Sequence, residues 1–260
     1  MPSITLALPK GRMFASLVSL LARAGLGVAG HERSYRPQSS DPRVVLKVLK
    51  PQNIPPLVEL DDVELEPVRL VLAGPPAWRP PTDPGTSVVV ASEYERITRS
   101  YLDRQAWSYR FVRSYGATEV FPPEDADLIV DNSATGRTLS ENGLTELAEV
   151  MRSTTRFIAS EAALARPEVR EFADDLVLLM RGVRAAESRV ILEMNVTDGN
   201  LEAIVAIVPA MKNPTIARLA DGSHALKAAV PQADVPRLIP RLKALGATDI
   251  LEYPIRKVIP

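Results

Sequence analysis

The chain has no cysteine among its 260 residues. Disulfides, thiolate metal sites and a cysteine nucleophile are therefore excluded. It has two histidines, His31 and His224, too few for an imidazole-based metal cluster. It also lacks a basic excess. Lysine and arginine total 31 against 32 acidic residues, which argues against a nucleic-acid partner. No uncharged apolar run approaches the roughly 18 residues of a membrane span. The opening MPSITLALPKGR has no cationic segment ahead of a long apolar one, unlike a secretory signal. A cytoplasmic protein with no membrane partner is expected. Two nucleotide motifs are missing as well. Neither G-x-x-x-x-G-K nor G-x-G-x-x-G occurs, so an ordinary P-loop or Rossmann site is disfavoured.

What is present reads as strands alternating with helices. Apolar runs at 4–8, 44–49, 68–72, 87–91, 109–112, 128–130 and 157–159 suit strands. Phe14, Leu17, Val18 and Leu21 share a helical face, residues 94–102 read as a helix, and a helical pattern occupies roughly 161–182. The proline-rich stretch 74–85 is a loop. This alternation predicts an α/β fold with a largely parallel sheet. The last seventy residues differ. Strands at 191–196, 216–219, 225–230 and 250–255 enclose helical faces at 201–208 and 235–242, two β-α-β units in tandem. That is a ferredoxin-like arrangement, with its boundary near 184–190.

Two loops suit anions. In 131-DNSATGRTL-139 a strand is followed by a hydroxyl-rich turn and a helix start. A helix start presents unpaired N–H groups, Gly136 permits close approach, and Ser133, Thr135 and Thr138 add donors. Asp131, expected at the strand's carboxyl end, suits ribose hydroxyls or a magnesium ion better than phosphate. A sugar phosphate fits the set. The same residues also suit an ordinary capped turn. The second loop, 9-PKGR-12, has strand end, glycine and helix start, with Lys10 and Arg12 for a polyphosphate. Two solvated cations are the plain alternative there.

Three stretches then resemble one family. 6-LALPKGRMFASLVSLLARAGL-26 resembles the opening of ATP phosphoribosyltransferase. 127-DLIVDNSATGRTLSENGL-144 resembles that family's phosphoribosyl pyrophosphate loop. 194-MNVTDGNLEAIVAIVPAMKNPTIARLAD-221, with 249-DILEYPIRKVI-259, resembles the regulatory domain of its long form. The resemblance implies a two-lobed catalytic part like periplasmic binding proteins, plus a C-terminal ferredoxin-like (ACT-like) regulatory domain. The first lobe would be 1–67 with 153–187, the second 68–152, and the regulatory domain 188–260. The implied reaction moves the phosphoribosyl group of phosphoribosyl pyrophosphate to N1 of ATP, the first step of histidine biosynthesis, with histidine as inhibitor. By resemblance, Lys10, Arg12 and Asp131 are catalytic. Gly11, Glu119, Ser133, Ala134, Thr135, Gly136, Arg137 and Thr138 bind substrate, and Mg2+ is the cofactor. Asn213, Pro214 and Thr215 mark the histidine site, and a homo-oligomer, dimer or hexamer, is implied. Against the family pattern, about 25 to 30 residues are missing between Glu59 and Pro67, and Asn53 stands where aspartate is usual. Glu119 to Asp131 is one residue shorter than the family spacing. The alternative is a catalytically impaired relative that binds histidine or sugar phosphates as a regulatory protein.

Overall fold

The computed structural model describes residues 4–50, 58–62, 65, 67–83 and 85–259. Asn53 and, within the expected gap, Val63, Glu64 and Glu66 lie outside these residues. The chain divides into two compact units, 1–61 with 158–260, and 62–157.

In the first unit, β1 (Ile4–Pro9) leads into α1 (Met13–Ala24). A small antiparallel pair, β2 (Val28–Ala29) and β3 (Gln38–Ser39), precedes β4 (Val44–Leu49) and β5 (Val58–Asp62). β1 and β4 pair in parallel, from Ile4 opposite Val44 to Pro9 opposite Leu49. α1 forms because its apolar residues recur at helical spacing, and it buries Phe14, Leu20, Leu21 and Ala24. It stops at Gly25, whose φ of 110° is left-handed.

The second unit is one five-stranded sheet. Its elements are β6 (Val68–Gly74), β7 (Ser87–Ser92), α2 (Glu95–Leu102), β8 (Ser108–Arg113), β9 (Leu128–Ser133), α3 (Arg137–Glu141) and β10 (Thr145–Ser153). The spatial order is β10-β6-β9-β7-β8. Leu70, Leu72, Val88, Val90, Leu128 and Val130 pack on one face. Val71, Ala73, Ala91 and Ile129 pack on the other with Leu139 and Leu144. Burial on both faces explains why these strands are continuous apolar runs.

This sheet corrects two expectations. It is mixed rather than largely parallel: β7 is parallel to β8 and β9, but β6 runs antiparallel to β9 and β10. A run buried on both faces carries no mark of its neighbour's direction. The nine-residue β10 was not expected at all. Its register against β6 shifts between Glu146 and Ala148 and again between Glu149 and Met151, so bulges erase the alternation that marks a strand. Likewise the helix after the loop, α3, spans only five residues.

β11 (Arg156–Ala159) pairs with β5. The helical pattern beyond it is two helices, α4 (Glu161–Leu164) and α5 (Pro167–Glu187). The break falls at Arg166, extended at φ −89° and ψ 117°, because a residue before proline avoids the helical region. α5 packs against α1, and Arg23 pairs with Glu187 at 2.6 Å.

The C-terminal part comprises β12 (Arg189–Val196), α6 (Leu201–Ile207), β13 (Thr215–Arg218), β14 (His224–Pro231), α7 (Val235–Ala244) and β15 (Thr248–Pro254). The sheet order β13-β14-β12-β15 is antiparallel throughout and ferredoxin-like. Burial alternates strictly along β12. Val190, Leu192, Met194 and Val196 join Ile204, Leu238 and Leu242 in one core. Among the described residues no helix is long and apolar enough to cross a membrane.

Candidate active site

β7, β8 and β9 run in the same direction, so their carboxyl ends share one edge of the sheet. Open α/β sheets place ligands there. Three segments meet at this edge: Glu93 and Tyr94 after β7, Ser114 to Glu119 after β8, and Asp131 to Thr138 at the end of β9.

Asp131 is the fourth of six residues in β9, not its end. Its pairing with β6 continues opposite Val71, but the β7 ladder stops one residue earlier, at Val130. Asp131 thus sits where the β7 ladder ends, with its backbone still held by β6. Burial pushes that carboxyl above the ordinary carboxylate range. The backbone N–H of Asn132, at 2.7 Å, opposes the shift, and the charges of Glu119 and Glu93 reinforce it. Hydroxyl donors on a ligand would offset the burial and the repulsion that Asp131 meets there.

Glu119 lies on a single 3-10 turn, Thr118–Val120, after the left-handed Ala117 (φ 47°). The turn is tied down by buried groups. Ser114 and Thr118 share a hydrogen bond of 2.8 Å, and the Ser114 N–H donates to the Ser92 carbonyl at 3.1 Å. Tyr94 is fixed at the same edge by Asn132, whose Nδ2 donates to the tyrosine hydroxyl. Glu93 and Tyr94 were not singled out from the sequence. Their position directly after a strand at the ligand edge was the available signal.

The donor loop runs from Ala134 to Thr138. Gly136 adopts φ 75° and precedes α3. The N–H groups of Ala134, Thr135 and Gly136 meet no backbone acceptor among the described residues. Thr135, Arg137 and Thr138 are exposed. Arg137 pairs with Glu141 at 2.7 Å in an open setting, where such a pair contributes little. A shallow cavity of about 400 Å³ adjoins the loop, lined by Arg69, Thr135, Gly136, Ser140 and Glu146 among others. Ser133 is placed differently from expectation. It is buried, and its hydroxyl donates to Glu146 rather than facing a ligand. Strand alternation puts it on the same face as Asp131, so it is the contact with Glu146 from β10, not its place in the strand, that takes its hydroxyl.

In the other unit, Lys10, Gly11 and Arg12 join β1 to α1 as expected. The Gly11 N–H, expected to be open to phosphate, donates to Glu32 Oε2 at 3.1 Å. A carboxylate from 21 residues away thus holds that donor, which only tertiary folding could bring there. Lys10 sits 5.6 Å from the Tyr35 ring centroid, a cation–π distance. Asn213, Pro214 and Thr215 lie at the start of β13, an edge strand exposed along its length. No three His, Cys, Asp or Glu side chains among the described residues converge to hold a metal by themselves.

The family model for ATP phosphoribosyltransferase matches residues 44–181. The chain belongs to the ATP phosphoribosyltransferase family. The model for the C-terminal domain of that family's HisG protein matches residues 186–257, which places the chain with the long form. An ATP phosphoribosyltransferase of Pelotomaculum thermopropionicum is 33% identical over 293 aligned positions, covering 99% of both chains. One of Desulforudis audaxviator is 34% identical over 293 positions with the same coverage. The solved ATP phosphoribosyl transferase (HisG:HisZ) complex of Thermotoga maritima contains a chain similar in fold. Its TM-score is 0.55 at 24% identity, over 68% of this chain and 98% of that one. The alignments with ATP phosphoribosyltransferases run to 293 positions against 260 residues here, so the relatives carry positions with no counterpart in this chain.

Proposed function

We propose that this member of the ATP phosphoribosyltransferase family transfers the phosphoribosyl group of phosphoribosyl pyrophosphate to N1 of ATP, releasing pyrophosphate. That reaction opens histidine biosynthesis in the cytoplasm. The observation that carries the reading is the loop Ala134–Thr138, in which the N–H groups of Ala134, Thr135 and Gly136 meet no backbone acceptor among the described residues, beside a partly buried Asp131 on one sheet edge. A 5′-phosphate on those N–H groups leaves the ribose hydroxyls to donate to Asp131. Each such hydrogen bond favours the charged carboxylate and so offsets the burial that disfavours it.

The transfer needs positioning and charge stabilisation more than proton transfer. Pyrophosphate leaves as positive charge builds at the ribose C1, and Asp131 with Glu119 and Glu93 holds negative charge near the ribose. Lys10 and Arg12 supply cations for the polyphosphates. Magnesium usually binds through one or two carboxylates plus substrate phosphates, and Asp131 fits that part. When bound, the ion neutralises the leaving group. The C-terminal sheet would take histidine near Asn213, Pro214 and Thr215 and lower turnover, and the chain would assemble as a dimer or hexamer.

Mixing the protein with ATP, phosphoribosyl pyrophosphate and magnesium should raise the ultraviolet absorbance as phosphoribosyl-ATP forms. No turnover with intact phosphoribosyl pyrophosphate binding would reject catalysis. It would favour the second reading, a regulatory relative that binds sugar phosphate or histidine. That reading has one support of its own, the aligned positions of the relatives that this chain lacks. We place the missing segment between Glu59 and Pro67.

A further inference from the structure

Behind the donor loop lies a charged network that the proposed chemistry does not use. Ser133 donates its hydroxyl to Glu146 Oε1. Glu146 Oε2 accepts from Arg69 Nη2 at 2.7 Å. Arg69 Nε donates to Glu149 at 2.9 Å, and Glu149 accepts from Arg152 at 3.0 Å. Two carboxylates and two guanidiniums offset one another, so this wall presents little net charge to an incoming anion. The carboxylate also reaches the loop itself. Glu146 Oε1 stands 3.4 Å from where a Cβ on Gly136 would lie.

Glu146 therefore meets the chain just before the loop, through Ser133, and the back of the loop, at Gly136. It does so from β10, the strand that begins just after the loop. We infer that Glu146 is a positioning residue: it ties both ends of segment 133–146 together and holds the N–H groups of Ala134, Thr135 and Gly136 aimed at a phosphate. Strands give firmer placement than loops, and β6, β9 and β10 are hydrogen-bonded neighbours. A donor set loosened by about 1 Å can cost on the order of a hundredfold in rate. The inference rests on reading the loop as the phosphate seat.

The test uses the full chain with Glu146→Ala, Glu146→Gln and Ser133→Ala. Steady-state kinetics would separate the KM for phosphoribosyl pyrophosphate from that for ATP and from kcat. Without ligand, amide hydrogen exchange would be followed at Ser140 and Asn142, whose N–H groups donate to the loop carbonyls of Gly136 and Thr138 at 2.9 and 3.2 Å. Glu146→Ala should raise the KM for phosphoribosyl pyrophosphate at least roughly tenfold, leave that for ATP unchanged, and speed exchange at Ser140 and Asn142. Glu146→Gln, which keeps an oxygen for Ser133, should recover most of the loss. The double variant with Ser133→Ala should be no worse than the worse single, because both act through one contact. A Glu146→Ala chain that merely melts earlier, with unchanged KM and unchanged exchange, overturns the inference. A wild-type chain that binds no phosphoribosyl pyrophosphate sinks the proposed function instead, and the exchange comparison still decides on Glu146.

Discussion

Gly136 and Gly143 offer a controlled pair for testing the donor loop. Their φ angles are 75° and 71°, both left-handed, so an alanine at either meets the same backbone strain. That strain is about 1–2 kcal/mol. For a chain of this size, 1 kcal/mol lowers the melting temperature by about 2–4 °C. Gly136→Ala and Gly143→Ala should therefore both melt a few degrees below wild type. They differ in what the new methyl meets. At Gly143 nothing lies within 4 Å, whereas at Gly136 the methyl stands 3.4 Å from Glu146 Oε1, at the centre of the proposed phosphate seat. Gly136→Ala should also weaken phosphoribosyl pyrophosphate binding at least roughly tenfold, about 1.4 kcal/mol. Gly143→Ala should bind as wild type does. Calorimetric titration of both variants, beside thermal melts, reads the two effects separately. Equal affinities in the two variants, with equal melting losses, would refute the assignment of the loop.

Asp131→Asn removes a carboxylate whose pKa is raised by burial and by Glu119 and Glu93. A raised folded-state value means the group favours folding below its ordinary 3.8 and loses that contribution as pH rises through the higher value. Asp131→Asn should thus melt above wild type at pH 7, with the gap closing below pH 4, while turnover is lost. A melting scan across pH that shows no such closing gap would contradict the burial effect. Asn213→Ala with Thr215→Ala should relieve histidine inhibition and leave turnover without histidine unchanged. Inhibition curves that superimpose on wild type would move the histidine site elsewhere. Ile204→Ala hollows the C-terminal core, where Ile204 is fully buried, and should cost about 2–5 kcal/mol. Histidine binding should suffer with it, as read by denaturant melts and titration.

The donor loop was readable in the sequence because its chemistry is local. A glycine that must be left-handed, flanking hydroxyls and a preceding aspartate all lie within eight residues. The C-terminal fold was readable for a similar reason. One face of β12 is buried and the other is not, so apolar residues alternate, and the two helical faces keep their spacing.

What stayed hidden depended on residues far apart in the chain. The mixed sheet was invisible because β6 and β9 are apolar on both faces whichever way their neighbours run. β10 escaped notice because its bulges break the alternation, and with it went Glu146, whose meaning lies in contacts to Ser133 and Arg69. The carboxylate on the Gly11 N–H comes from Glu32, beyond α1 and β2, which no local pattern announces. From sequence alone came the residue types, their spacing and the ligand class they suit, because backbone conformation and side-chain chemistry are short-range properties. Tertiary structure alone decided which hydroxyl faces the ligand and which faces the core, which N–H is open and which is held, and how far Asp131 resists ionisation. Those follow from burial and from neighbours 13, 21 and more residues away, where distance along the chain says nothing about distance in space.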